Sequence, residues 1–359
     1  MMHLENLRLI NFRSYEKFET DFSDKINIIT GNNGIGKSSV LEAVHYLSLS
    51  KSFRSNRDEE AIHFNSDHFV SKGTFVSDNG VRENISISFS KNGGKAIKSH
   101  GKLLENSRDL IGRHPVVLLS PEDIITTIGS PSGQRKFMNM TMSQVNKNHL
   151  SRLMSYRGVL KQRNAAINMA ASGRESYEST LDALEEQLGE LCSSIWEDRV
   201  NFINEIIPEF QKIFNDLNEG KKEGNIEYRP SVSGTKNEIM EVLKLRRAND
   251  FNMGFTTKGL HRDKLIFKIN DRALKKYGSK GENKSFMIAL RLTQGKFIEK
   301  KTGIKPIYLL DDVFMELDRN RAIETVKYIN GIGQVIITTT NYEEWSDKVG
   351  FKVNLIGLS

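Results

Sequence analysis

Cysteine is almost absent. Cys192 stands alone in 359 residues, which excludes an intramolecular disulfide and any metal cage built from thiolates. That usage fits a reducing compartment, and a cytoplasmic location is expected. No apolar run approaches the roughly 20 residues that cross a bilayer. The segment around His3, Glu5 and Arg8 lacks the apolar core of a signal peptide. No membrane partner is therefore expected. Internal repeats and low-complexity tracts are missing too, so a repeat architecture is not expected. The most informative absence is of acid: residues 124–174, 51 positions, contain no aspartate or glutamate, where uniform usage would supply about six.

What is present describes a soluble globular protein, with 38% hydrophobic and 27% charged residues and length for more than one domain. The net charge of +7 and a pI near 9.2 point mildly to a polyanionic partner. The stretch around which the chain is organised is Gly31-Asn32-Asn33-Gly34-Ile35-Gly36-Lys37-Ser38-Ser39, which matches G-x-x-x-x-G-K-[ST]. Before it, Lys25-Ile26-Asn27-Ile28-Ile29-Thr30 reads as a buried strand. After it, Val40, Leu41, Val44 and Leu47 recur on one helical face. Glycines let the loop curl so that backbone N–H groups face a phosphate at a helix N-terminus. In that motif Lys37 reaches the β- and γ-phosphates and the Ser38 hydroxyl holds Mg²⁺, so ATP and Mg²⁺ are the expected cofactors.

Residues 70–104 read as an antiparallel meander, with Ile85, Ile87 and Phe89 alternating with serines and turns at Asp78-Asn79-Gly80 and Asn92-Gly93-Gly94. Val116-Val117-Leu118-Leu119 is a short strand closed by Ser120-Pro121-Glu122-Asp123. The acid-free window then carries Arg135, Lys136, Lys147, Arg152, Arg157, Lys161, Arg163 and Arg174. Leu153, Tyr156, Leu160 and Ile167 predict a helix with an apolar seam. Past a turn at Ala171-Ser172-Gly173, Leu181, Leu184, Leu188, Leu191 and Ile195 predict a second helix, giving a coiled-coil-like hairpin. That second helix is acidic. Charge complementarity between the two helices is one account, and a surface laid against nucleic-acid phosphates is the other. On the second account Arg135, Lys136, Arg152, Arg157, Lys161 and Arg163 make largely sequence-independent phosphate contacts. Cys192 reads as a core thiol.

Residues 200–250 read as helix and loop, followed by a strand at Leu265-Ile266-Phe267-Lys268-Ile269 and an apolar helix over 286–292. A second chemical motif is Leu309-Leu310-Asp311-Asp312, an apolar strand delivering a carboxylate to a sheet edge. Asp311 suits a Mg²⁺ site and Asp312 suits polarising the attacking water. Gln334-Val335-Ile336-Ile337-Thr338-Thr339-Thr340 is a further strand. The nucleotide domain is thus split across nearly the whole chain.

Residues 31–39, Lys51-Ser52-Phe53-Arg54, Ser120-Pro121-Glu122-Asp123, Leu160-Lys161-Gln162-Arg163-Asn164, His261-Arg262-Asp263, Ser279-Lys280-Gly281 and Asp311-Asp312-Val313-Phe314-Met315-Glu316-Leu317-Asp318, in that order, resemble the RecF family of the ABC/SMC-like P-loop ATPases. The resemblance implies an α/β head with an antiparallel β lobe and an inserted α-helical hairpin domain. The expected divisions are 1–124 (head, first part), 125–250 (helical arm) and 251–359 (head, second part). It implies Ser279 and Gly281 as a signature motif facing the nucleotide of a second copy, Asp318 as a D-loop residue, and Arg54 as a cation near the nucleotide. It further implies an ATP-dependent homodimer that clamps DNA, single-stranded, duplex or at a junction. The implied role is gap repair near the nucleoid, with recombination mediators of RecR or RecO type as partners; slow ATP hydrolysis is expected from the departures that follow and from the shorter Asp312 at the catalytic acid position.

Several positions depart from the ABC pattern. Glu282 follows the signature glycine, where a carboxylate near phosphate is unfavourable unless it turns away or meets a cation. No switch histidine follows the last strand; Thr338, Thr339 and Thr340 stand there, with Thr339 or Thr340 the preferred counterpart. The Q-loop glutamine is missing near residue 120. His261 is open between a nucleotide contact and a structural role. A transporter subunit and a nuclease-associated ATPase are the competing readings; the acid-free arm disfavours the first and the lack of an extra metal cluster the second.

Overall fold

The computed structural model describes residues 2–171, 177–313, 324–325, 327–340 and 353–358. It opens with a hairpin of β1 (His3–Phe12) and β2 (Tyr15–Asp21), then β3 (Ile26–Thr30) leads through the glycine loop into α1 (Lys37–Leu49). The meander follows as β4 (His68–Val76), β5 (Arg82–Ser90), β6 (Gly94–Ser99) and β7 (Lys102–Leu103). With the opening hairpin it makes one six-stranded antiparallel sheet, order β2-β1-β4-β5-β6-β7. Next come β8 (Val116–Leu119), α2 (Pro121–Gly129), α3 (Pro131–Val145), α4 (Lys147–Ala171) and α5 (Glu178–Leu217). The chain continues through β9 (Gly224–Arg229), α6 (Lys236–Leu245), α7 (Arg247–Met253), β10 (Lys264–Ile269), β11 (Arg272–Ala273), α8 (Leu274–Tyr277) and α9 (Lys280–Thr302). It ends with β12 (Ile307–Asp311), β13 (Val335–Thr339) and β14 (Asn354–Gly357).

The chain divides into two compact units. The first comprises Met1–Ile124, Lys212–Lys222 and Gly278–Ser359; the second comprises Ile125–Gln211 and Glu223–Tyr277. In the first unit a parallel sheet runs in the order β14-β3-β13-β12-β8. Every residue of β12 and β13 is buried, as are four of the five in β3, which is why these strands read as unbroken apolar runs. Helix α1 lies between this sheet and β1 and β4 of the antiparallel sheet. It is therefore buried all round, not only along the face of Val40, Leu41, Val44 and Leu47. Its polar residues need partners as a result, and the carboxylate of Glu42 finds them in Arg13, Ser52 and Arg54.

In the β lobe Glu83 is held well below the ordinary carboxylate value of 4.5, at about 2, by His114 first and by Ser99 and Arg113. A depressed folded value means that its stabilisation is present above 4.5 and is lost as pH falls toward 2. The expected outcome is that Glu83→Gln lowers stability at neutral pH and flattens the acid limb of the stability–pH curve in that window. Chemical denaturation between pH 2 and 7 checks this, and a limb as steep as the parent's would refute it.

The second unit contains the helical hairpin. Leu153, Tyr156, Leu188, Cys192, Ile195, Ile239, Leu243 and Leu260 form one core cluster, and Ile167, Leu181 and Leu184 another. Burial is worth about 1.5–3 kcal/mol for each large apolar side chain, so the seam is a major contribution to the pairing of α4 with α5. Cys192 lies within the seam, its thiol pushed up to about 12 by burial. Two expectations are corrected here. Residues 224–229 are a strand, not helix or loop: β9 pairs with β10 from Lys264↔Arg229 to Ile269↔Gly224. Both strands lie in the second unit, which runs to Tyr277. The helix expected over 286–292 is also longer, because Ser279 caps it and Gly303 ends it.

Candidate nucleotide site

The C-terminal edge of the parallel sheet gathers the site. Register pairs Asp311 with Thr338 and Thr338 with Ile29, one residue before the end of β3, so the glycine loop, Asp311 and Thr338 emerge side by side. Open α/β sheets bind ligands at this edge. Gly36, the residue before α1, has φ 109°, and a Cβ there would lie 2.5 Å from Ser14 Oγ and 2.7 Å from Tyr15 Oη. Only glycine meets both the conformation and the space. The buried Tyr15 hydroxyl has no hydrogen-bond partner among the described residues, and burial raises it to about 12.

Lys37 is buried, its Nζ donating to the carbonyls of Gly31 at 2.8 Å and Asn32 at 3.0 Å. The ammonium therefore sits within the curl of the loop, with Asn32, Asn33 and Gly34 exposed and Ile35 half-buried. Ser39 bonds back to Gly36 through its N–H at 2.8 Å, closing the first turn of α1. Ser38 Oγ donates to Asp311 Oδ1 at 2.8 Å, across 273 positions of sequence. Thr338 Oγ1 donates to the same Asp311 oxygen at 2.7 Å and accepts from the Asp312 N–H at 3.1 Å. A hydroxyl and a carboxylate meeting at a sheet edge are the hard oxygen donors that Mg²⁺ takes, and the loop N–H groups with Lys37 are the donors a phosphate takes, so the residues fit both groups.

Asp312 is the strained member. Its φ is +48°, which turns the side chain out of the strand direction at a cost that Asp tolerates better than most residues. Its Oδ1 is buried and has no hydrogen-bond partner among the described residues. Burial raises its carboxyl, Asp311 adds to the rise, and Lys37 and Lys284 oppose it. Lys284, buried on α9, is thus a second cation acting on the acid. The sequence reading missed it because lysine in a helix one turn past a glycine-rich motif carries no signal of its own.

Ser279 is the N-cap of α9, accepting from the Glu282 N–H at 3.2 Å, while Glu282 accepts from the Ser279 N–H at 2.8 Å. Lys222 Nζ lies 2.7 Å from the Glu282 carboxylate. With the cap, it holds that carboxyl at about 2. Glu282 is therefore committed to a cation and a capping box, which removes the electrostatic objection to an acid at this position. Gly281, between them, is half-buried. Of the three threonines, Thr338 is the one bonded to Asp311. Arg54 is turned to Glu42, with Nη1 3.8 Å away. Asp318 lies outside the described residues, as does the turn at Ser172-Gly173.

The basic residues of the second unit fare unequally. Arg163 is fully buried, donating to Glu185 at 2.8 Å, Asp250 at 2.7 Å and Thr256 at 2.8 Å. This corrects the expectation that it touches phosphate: its guanidinium is enclosed by two buried carboxylates. Arg152 is paired with Asp198 at 2.8 Å, and Arg135 donates to the Asp263 carbonyl at 3.0 Å. Lys136, Arg157 and Lys161 are exposed. His261 is structural: Nδ1 lies 2.7 Å from the Tyr156 hydroxyl and Nε2 2.9 Å from the Thr256 carbonyl, and burial lowers its pKa. Asp263 is likewise an internal strut, accepting from Arg199, the Tyr228 hydroxyl and the Ser231 N–H.

The family described as the RecF/RecN/SMC N-terminal domain matches residues 3–349. The chain is 34% identical to the DNA replication and repair protein RecF of Chlorobium phaeobacteroides, over 96% of this chain and 97% of that one. It is 35% identical to the RecF of Chloroherpeton thalassium, with the same coverage. It superposes on a solved structure of the recombination mediator protein RecF of the RecFOR pathway with ATP. The TM-score there is 0.88 at 29% identity, covering 94% of this chain and 92% of that one; the form with ATPγS gives 0.86 over the same shares. An Smc head bound to a domain of ScpA shares the fold at TM-score 0.55 and 17% identity, over 94% of this chain and 89% of that one. With two sheets on either side of α1, a helical insert and a glycine loop facing Asp311, the chain belongs to the RecF family of DNA replication and repair proteins, on the ABC-type ATPase head shared with SMC proteins.

Proposed function

We propose that this chain is a weak, DNA-stimulated ATPase in which ATP and Mg²⁺ act as a switch that closes two copies on DNA. The observation that carries the reading is the convergence of Lys37, Ser38 and Asp311 beside Asp312, whose Oδ1 is buried and unpartnered among the described residues. Lys37 and the N–H groups of residues 31–39 hold the β- and γ-phosphates, and Ser38 and Asp311 hold the metal. When bound, Mg²⁺ neutralises charge developing on the phosphoryl oxygens. Asp312 orients the attacking water and accepts its proton. An aspartate is one methylene shorter than glutamate and reaches less far toward the attacking water, so slow turnover follows. Ser279 and Gly281 face the γ-phosphate held by a second copy, with Asp318 beside that contact and Arg54 near the nucleotide.

DNA contact falls to Lys136, Arg157 and Lys161, which are exposed, and to Arg135 and Arg152, which are half-buried and also bonded within the chain. The biological task is gap repair: marking single-strand/duplex junctions and aiding recombinase loading with RecR- and RecO-type mediators. The naming of the solved RecF structures as a recombination mediator of the RecFOR pathway supports it. The location that follows is cytoplasmic and nucleoid-associated. Among the described residues no helix is long and apolar enough to cross a membrane.

The test is mass in solution with ATP and Mg²⁺, for the parent and Asp312→Asn, with and without a gapped duplex. Asparagine accepts a φ of +48° as readily as aspartate, so the variant keeps the backbone and loses the base. The expected result is a stable dimer of Asp312→Asn that retains DNA. A monomer that binds DNA equally with and without nucleotide would overturn the switch.

A further inference from the structure

We infer that the segment of β11 and α8, Arg272 to Tyr277, is a second nucleic-acid contact that takes the unpaired strand of a gapped substrate. The inference rests on the DNA-binding reading above and adds a surface that reading does not contain.

The hairpin between β10 and β11 is tight: Ile269 pairs with Arg272, and Asn270 and Asp271 between them both adopt left-handed backbone, φ 46° and 60°. Asn and Asp are the side chains that accept that conformation at least cost. Leu274, 1% exposed, pins the following turn into the core of the unit. Arg272, Lys275, Lys276 and Tyr277 consequently all point to solvent. Tyr277 is 59% exposed, an unusual placement for a large ring, and Lys276 Nζ lies 5.1 Å from its centroid.

The cations here differ from their neighbours. Lys268 and Arg229, on adjacent strands, are both neutralised by Glu227, at 2.8 and 2.6 Å. Arg272, Lys275 and Lys276 have no ion pair among the described residues, and the segment itself contains no acid, Asp271 standing in the turn before it. Three cations without ion pairs among the described residues, in one short segment with an exposed ring, supply the chemistry of single-strand binding, in which phosphates follow the positive charge and a base stacks on the aromatic face. Duplex DNA keeps its bases stacked inside and has no use for the ring. The unpaired strand does.

The test uses the full chain with ATP and Mg²⁺ and fluorescence anisotropy on a gapped duplex, a single strand and a blunt duplex. Melting and ATP-dependent mass are recorded for each variant. The double variant Lys275→Glu/Lys276→Glu is expected to weaken gapped and single-stranded binding about tenfold and to lower the salt slope by roughly 1.4. Tyr277→Ala is expected to weaken those two substrates about tenfold and leave the blunt duplex unchanged, with Tyr277→Phe restoring parent affinity. If the parent binds gapped DNA and these variants match it in affinity and slope, the inference falls and the proposed function stands. Equal loss on the blunt duplex from Tyr277→Ala overturns the single-strand assignment. Loss of the ATP-dependent dimer with DNA binding unchanged makes the patch a contact between copies, which also overturns it. A parent that binds no DNA removes the reading beneath it.

Discussion

Lys37→Ala is expected to lower ATP hydrolysis by about 10²–10³-fold and to weaken nucleotide binding by about ten- to a hundredfold, the worth of roughly 1.5–3 kcal/mol for hydrogen bonds to a charged group. The side chain does two jobs. Its ammonium is held inside the loop by the hydrogen bonds to Gly31 and Asn32, and it opposes the rise in the pKa of Asp312. Alanine removes the phosphate partner and lets the Asp312 carboxyl rise further, so binding and turnover fall together. Single-turnover hydrolysis with titration of a fluorescent ATP analogue separates the two. Because the helix backbone and Ser38 are untouched, melting without nucleotide should change little. Hydrolysis at the parent rate would remove residues 31–39 from the chemistry.

Arg163→Ala is expected to act in the opposite way, on the fold and not on the ligand. Its guanidinium is 0% exposed and lies between Glu185 and Asp250, themselves 0% exposed. Removing it leaves the buried Asp250 without a cation and Glu185 with Arg247 alone, a loss of about 3–5 kcal/mol. The transition of the second unit should then fall by roughly 10 °C. Arg247, which also meets Glu185 at 2.5 Å, offsets part of the damage on one side, whereas Asp250 keeps only its bonds to Thr257. A phosphate-binding arginine predicts the reverse: parent-like melting and a salt slope smaller by about 1. Calorimetry together with a salt titration of DNA binding distinguishes them. Arg157→Ala, exposed on the same helix, should show the phosphate pattern, and a matching loss of stability there would contradict its placement.

Much of this was legible in the residues because it is local. A strand, a glycine loop and a helix follow one another at residues 26–49, and each is announced by its own composition. The meander declares itself by alternation and turns, and the hairpin by the 3–4 stepping of Leu181, Leu184, Leu188, Leu191 and Ile195. Strand β9 was not legible: Asn225, Glu227 and Arg229 dilute its apolar residues, and only the pairing with β10 makes it a strand. Charge was the other blind spot. The acid-free window located a basic stretch correctly as sequence, yet Arg135, Arg152 and Arg163 within it are spent on carboxylates or carbonyls that lie far along the chain.

The sequence by itself therefore determined the parts: a phosphate loop, a strand ending in two acids, a β lobe and a helical hairpin, each specified by residues within a few turns of one another. Tertiary structure alone decided which parts meet. It brought Ser38 to Asp311, gave Glu282 its cation in Lys222 and set Thr338 on the Asp311 oxygen. It buried Arg163 and left Arg272, Lys275 and Lys276 open. The reason is physical. Backbone propensity and apolar periodicity act between near neighbours in the chain, whereas the fate of a charge depends on desolvation and on the nearest opposite charge in space.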